Sequence, residues 1–114
     1  GVACVQPPVE LMTRVLAVRL HLDDCTATNG ALKVLPGTHR GRMSATEIDA
    51  QQQRMASVTC EVPPGGLLLM KPLLLHASSS MDEPRSRRVI HFEFANFELP
   101  LPLQWKYQIA CCGE

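Results

Sequence analysis

Between Pro64 and Ser80, two short apolar runs, Leu67-Leu68-Leu69-Met70 and Leu73-Leu74-Leu75, are separated by Lys71-Pro72 and end on His76. Proline lacks an N–H and fixes its own φ, so no single helix or central strand runs through Pro72. Neither run approaches the roughly 18 apolar residues of a membrane-spanning helix. The remaining solution is a set of short strands, one of which carries a histidine to the hydroxyl cluster Ser78, Ser79 and Ser80. An arginine pair, Arg87-Arg88, then opens another apolar stretch.

The rest of the chain is punctuated in the same way. Its nine prolines and seven glycines delimit expected strands over 15–22, 31–35, 58–62, 67–70, 73–77 and 87–94. Turns are expected at Asn29-Gly30, at Pro36-Gly37 and at Pro63-Pro64-Gly65-Gly66, where glycine or asparagine tolerates positive φ. Residues 9–14 fit either a helical turn or a strand lead-in. Ser44 with Glu47 three residues on is a capping box, predicting one helix to about residue 55. Short strands at this spacing with a single helix indicate an all-β sandwich or small barrel.

The chain is one domain at most and small for a complete enzyme. With 11 basic and 11 acidic residues, nothing selects nucleic acid or an anionic membrane as partner. The start at Gly1, without Met or a basic flank, suggests a beginning within a longer protein. Cys4, Cys25, Cys60, Cys111 and Cys112 are odd in number and form no CxxC pair. The expectation is reduced thiols in a cytoplasmic protein, with Cys25 and Cys60 as core fillers.

Side-chain alternation assigns the faces of the two long strands. On the first, Leu16, Val18, Leu20 and Leu22 share an apolar face opposite Arg19, His21 and Asp23, as in a wall between a core and a pocket or solvent. On the last, Arg87, Val89, His91 and Glu93 oppose Arg88, Ile90, Phe92 and Phe94. His76, following aliphatic residues, should sit in a low-dielectric pocket. An inward Arg87 needs an anion, supplied either by Glu93 or Asp82 or by a bound carboxylate. Arg19 and His91 are further candidates for lining a pocket.

These residues carry a resemblance. Leu20-His21-Leu22-Asp23-Asp24, Asn29-Gly30-Ala31-Leu32 and Leu35-Pro36-Gly37-Thr38-His39, followed in register by Gly65-Gly66, His76-Ala77-Ser78 and Arg87-Arg88, resemble the phytanoyl-CoA dioxygenase family. The resemblance covers about 14–105. It implies a double-stranded β-helix, or cupin-like jelly roll, here a partial one within a single partial domain 1–114. It also implies an Fe(II)- and 2-oxoglutarate-dependent dioxygenase acting with O₂ on a small organic substrate. On that basis His76 is the distal iron ligand. Arg87 pairs with the far carboxylate of 2-oxoglutarate, and Ser78 hydrogen-bonds it.

One departure stands out. The family's HxD motif lies upstream of the Leu-Asp-Asp block, and residues 1–14 contain neither histidine nor aspartate. The chain is therefore expected to be the distal portion of such an enzyme, binding iron weakly or not at all by itself. Two alternatives remain. One is a non-catalytic jelly-roll binding module. The other is a cupin-type metal enzyme using His21, Asp23 and His76; in the family pattern, however, Asp23 falls where it would accept hydrogen bonds from backbone N–H groups of the Asn-Gly loop.

Overall fold

A computed structural model describes residues 3–78, 80 and 86–109. Helix α1 (Val9–Met12) leads into β1 (Leu16–His21) and β2 (Leu32–Val34), and α2 (Ala45–Arg54) then precedes β3 (Val58–Cys60). Strands β4 (Leu67–Met70), β5 (His76–Ser78) and β6 (Val89–Phe94) follow. They form two three-stranded antiparallel sheets, ordered β4-β1-β6 and β3-β2-β5. Strands β4, β5 and β6 alternate between the sheets, so the chain crosses the core at each connection. Among the described residues no helix is long and apolar enough to cross a membrane.

Local chemistry accounts for the punctuation. Gly37 and Gly65 take φ of 83° and 79°, which glycine adopts without Cβ strain. Gly66 N–H donates to Pro63 C=O at 2.9 Å, closing the Pro-Pro-Gly-Gly turn. Ser44 Oγ accepts from Glu47 N–H while Glu47 Oε2 accepts from Ser44 N–H, which satisfies two donors at the start of α2. Only Gly30 of the Asn29-Gly30 pair has positive φ.

Two expectations are corrected. The strand expected over 73–77 starts later: 73–75 lie outside it, with Leu74 N–H donating to Lys71 C=O at 3.1 Å, and β5 begins at His76. Pro72 takes the first central position of that turn, where its fixed φ is favourable. The apolar face of β1 is also not the face that meets the second sheet. Ala17 and His21, on the opposite face, are buried to 3% and 2% exposure. Ala17 and Met70 of the first sheet pack with Leu32 and Val34 of the second, and Cys60, Leu68 and Leu74 border this core. Small Ala17 permits the close approach, whereas hydrophobic alternation marks two faces without stating which one is covered.

The face carrying Leu16, Val18 and Leu20 continues across the sheet. Val18 lies opposite Leu69 and Phe92, Leu20 opposite Leu67 and Ile90, and Leu16 opposite Phe94. Leu67, Leu69 and Phe94 are more than half exposed there.

A second cluster, Cys25, Ala31 and Val62, closes one end beneath the Cys25–Val62 bridge. Cys25 is buried and Cys60 partly so, while Cys111 and Cys112 lie outside the described residues. The start of β6 is tied to the end of β1. Asp23 Oδ2 accepts from Arg88 N–H (2.7 Å) and Nε–H (3.0 Å), and Oδ1 accepts from Nη2–H (2.9 Å). The guanidinium holds the Asp23 carboxyl down at about 2.

Gly66 supplies a test of this packing. A Cβ there would stand 2.6 Å from Val62 Cγ1 and 2.9 Å from Pro63 O, whereas one at Gly41 meets nothing within 4 Å. Gly66→Ala should destabilise by about 1–3 kcal/mol, as overpacking does. Gly41→Ala should leave the urea midpoint within error.

Candidate functional site

The site is built on the facing sides of the two sheets. In the second sheet, His76 lies opposite Val34 and Ser78 opposite Leu32, so both share the face of buried core residues. They remain exposed because β5 is an edge strand. The expected low-dielectric setting of His76 is thereby corrected: the leucines before it form a turn and do not wrap the ring.

His76 is nonetheless held in a definite orientation. Its Nδ1 is 2.6 Å from Leu74 C=O, which only accepts, so Nδ1 carries the proton. In the neutral ring that leaves the Nε2 lone pair outward, the arrangement by which a second contact prepares an imidazole for a metal. Beside the ring runs a groove of about 420 Å³ lined in part by Leu35, Ile48, Met55 and Leu75.

Thr38 fixes the backbone that carries His76. Its buried hydroxyl donates to Leu35 C=O at 2.7 Å and accepts from Leu75 N–H at 3.0 Å. Leu35 N–H in turn donates to Leu75 C=O at 3.0 Å. Sequence reasoning placed Thr38 in the Pro-Gly turn without a role. The available signal was a hydroxyl residue just after a turn, a position prone to local backbone bonding.

The first sheet contributes Arg19 and His21 from β1 and His91 and Glu93 from β6 to its inward face. Arg87, just before β6, is half-buried and its Nη1–H donates to Gly30 C=O. Glu93 does not pair with Arg87; it stands 3.6 Å from His91, and both are about half exposed. Asp82, the other expected partner, lies outside the described residues, as does Ser79.

His21 is the most enclosed of these groups. Neither ring nitrogen has a hydrogen-bond partner, and Arg19 Nε is likewise buried without one. Burial lowers the His21 pKa first, and the charges of Arg19 and Arg87 lower it further. The loop below is braced by Asn29 Nδ2–H, which donates to Asp24 C=O at 2.7 Å.

No group of three His, Cys, Asp or Glu side chains stands ready for a metal among the described residues. His21, Asp23 and His76 therefore do not assemble as a triad, and both Asp23 oxygens are committed to Arg88. The expected bonds from loop N–H groups to Asp23 are corrected: its backbone donor is Arg88 N–H, just before β6.

Two antiparallel sheets with strands alternating between them make a double-stranded β-helix of the cupin-like kind. The chain belongs to the phytanoyl-CoA dioxygenase family, whose pattern matches residues 5–89. Among solved structures it is similar to EctD from S. alaskensis with 2-oxoglutarate and 5-hydroxyectoine, at 27% identity and TM-score 0.63 over 71% of this chain and 30% of that one. AviO1 from Streptomyces viridochromogenes Tue57 is similar at 26% identity and TM-score 0.66, over 76% of this chain and 39% of that one. EvdMO1 matches at 25% identity and TM-score 0.65, over 73% and 20%. The chain thus spans 20% to 39% of the length of these three structures. No curated protein sequence matches.

Two outcomes follow from the geometry. Thr38→Val should cost about 1–3 kcal/mol, because it strands a buried N–H and C=O, and Thr38→Ser should restore most of it. Urea unfolding and the hydrogen-exchange rate of the Leu75 amide check this. The second concerns pH. Unfolded His21 takes its proton near 6.5, while the folded ring resists it to lower pH. Stability from this group is therefore complete above pH 6.5 and declines as pH falls below it toward the lowered folded value. A His21→Gln variant should lack that decline in a pH series of unfolding midpoints.

Proposed function

We propose that these residues form the distal part, 1–114, of the jelly-roll domain of an Fe(II)- and 2-oxoglutarate-dependent dioxygenase that acts with O₂ on a small organic substrate. What supports this reading is the family match and the likeness to an EctD structure holding 2-oxoglutarate, with His76 and Ser78 on the face of β5 that lies opposite the core residues Val34 and Leu32. His76 Nε2 would supply one iron ligand. The Arg87 guanidinium offers the planar fork that suits a carboxylate, with Nη1–H committed to Gly30 and other donors left to bind. Ser78 Oγ can donate to the same carboxylate.

The described residues hold no three-ligand set, so they do not by themselves fit an iron centre. The work derived for them is binding and orientation: a fixed imidazole, a cation for the co-substrate and a hydroxyl beside it. A cytoplasmic setting accords with the free thiols of Cys4, Cys25 and Cys60.

A second reading is a non-catalytic jelly-roll binding module, which would take a carboxylate without metal. Anaerobic titration with Fe(II) and 2-oxoglutarate separates the two. A metal-to-ligand charge-transfer band belongs to the oxygenase alone, and its absence in the complete protein would leave the binding module.

In the complete protein, His76→Ala should abolish succinate release from 2-oxoglutarate; unchanged turnover would sink the assignment. Arg87→Lys should raise the KM for 2-oxoglutarate by roughly tenfold, because lysine keeps the charge and loses the fork.

A further inference from the structure

His91 and Glu93, on the inward face of β6, border a cleft of about 810 Å³ whose other walls come from the chain after that strand. This chain turns back where Leu103 N–H donates to Pro100 C=O at 3.0 Å, and the Trp105 and Phe97 ring centres then stand 6.0 Å apart at 48°. Phe97 is held from behind by Arg14, just after α1. The Arg14 guanidinium lies 4.7 Å over the ring, and its Nη2–H donates to Asn96 Oδ1 at 3.2 Å. Tyr107 adds a third ring, 5.3 Å from Lys106 Nζ. Phe97 and Tyr107 thus each carry a cation already. Among the described residues Trp105 carries none, although an indole attracts a cation more strongly than either other ring. The charges in the wall agree with that vacancy. Glu93 stands 3.6 Å from His91, a contact that is ionic only when the imidazole is protonated, and Glu98 makes no ion pair among the described residues. Two carboxylates and one ammonium, that of Lys106, line the cleft.

We propose that this cleft binds a small organic cation, an alkylammonium group seated on the Trp105 indole with Glu93 and Glu98 balancing its charge. Its role as a substrate site rests on the oxygenase reading above and names the substrate class; the binding itself needs no iron. The face of an aromatic ring is the negative end of its quadrupole and attracts a diffuse cation without needing a hydrogen bond. Carboxylates at the wall then neutralise the charge that the rings only polarise toward. An anionic ligand meets both carboxylates and the ring faces and is repelled by each. A neutral ligand of the same shape covers the same area and gains nothing from Glu93 or Glu98. The volume lies within the range of roughly 300–1,000 Å³ usual for small-molecule sites. The position suits a substrate as well. His91 lies opposite Arg19 of β1, so the cleft begins one strand away from the interior that encloses His21.

The test is an NMR-detected titration of the complete, metal-free protein with choline and, separately, with its uncharged isostere, the alcohol in which carbon replaces the ammonium nitrogen. The reporter is the Trp105 indole N–H resonance, assigned by its loss in Trp105→Phe. Choline should move that resonance saturably and bind about tenfold tighter than the isostere. A protein carrying both Glu93→Gln and Glu98→Gln should bind choline about tenfold more weakly and the isostere unchanged. Both side chains are exposed, and the amide spectrum checks that the fold is kept. Equal affinity for choline and the isostere makes the cleft merely apolar and overturns the proposal. A Trp105 signal that choline leaves unmoved also overturns it, as does one moved by acetate in place of choline, which would put Lys106 in charge of the cleft. Choline binding that ignores the loss of both carboxylates overturns it too. None of these titrations contains iron, so their failure leaves the oxygenase reading standing. Choline binding without a charge-transfer band on addition of Fe(II) and 2-oxoglutarate supports the cation site and removes that reading instead.

Discussion

The architecture depends on the contact of Ala17 and Met70 with Leu32 and Val34. Each sheet alone is three short strands, and strands of this size need a covered face to be stable. Ala17 is small enough at the crossing for the sheets to close on one another, and His21, further along the same face, is enclosed to 2% exposure. The two residues that follow it on the same face are Arg19 and His21. A core contact and a polar interior are thus consecutive positions of a single strand.

That adjacency sets the character of the interior. The apolar contact excludes water from the neighbouring positions, which strengthens any electrostatic interaction there and makes an unpaired donor expensive. Burial and two guanidinium groups keep His21 from accepting a proton readily. A chain selected for stability alone would place aliphatic side chains at these positions. Local rules that fail inside an otherwise consistent fold are the usual mark of a binding site. Histidine His76 sits at the margin of this space, on an edge strand, oriented by its own backbone and by the Thr38 clamp.

The outer face of the first sheet shows the opposite pattern. Leucine, valine, isoleucine and phenylalanine side chains line it across all three strands, and several are more than half exposed. Scattered apolar side chains on a surface need no explanation, but a contiguous sheet face of them is unusual. Its composition is what made it read as the core side of β1.

Much was legible in the sequence because it depends on local chemistry. The Pro-Pro-Gly-Gly turn, strand β4 and the capping box at Ser44 follow from φ restrictions and short-range hydrogen bonds that neighbouring residues alone decide. The order of the Asn-Gly, Pro-Gly-Thr-His, His76 and Arg87 segments was enough to mark the family. Only the tertiary structure decided which face of β1 is enclosed, that Asp23 serves Arg88, that Thr38 holds the approach to His76, and that His21 is buried beside two cations. Alternation divides a strand into two faces, but burial is a property of what packs against each face. That is set by contacts between residues tens of positions apart, and no window of the sequence contains them.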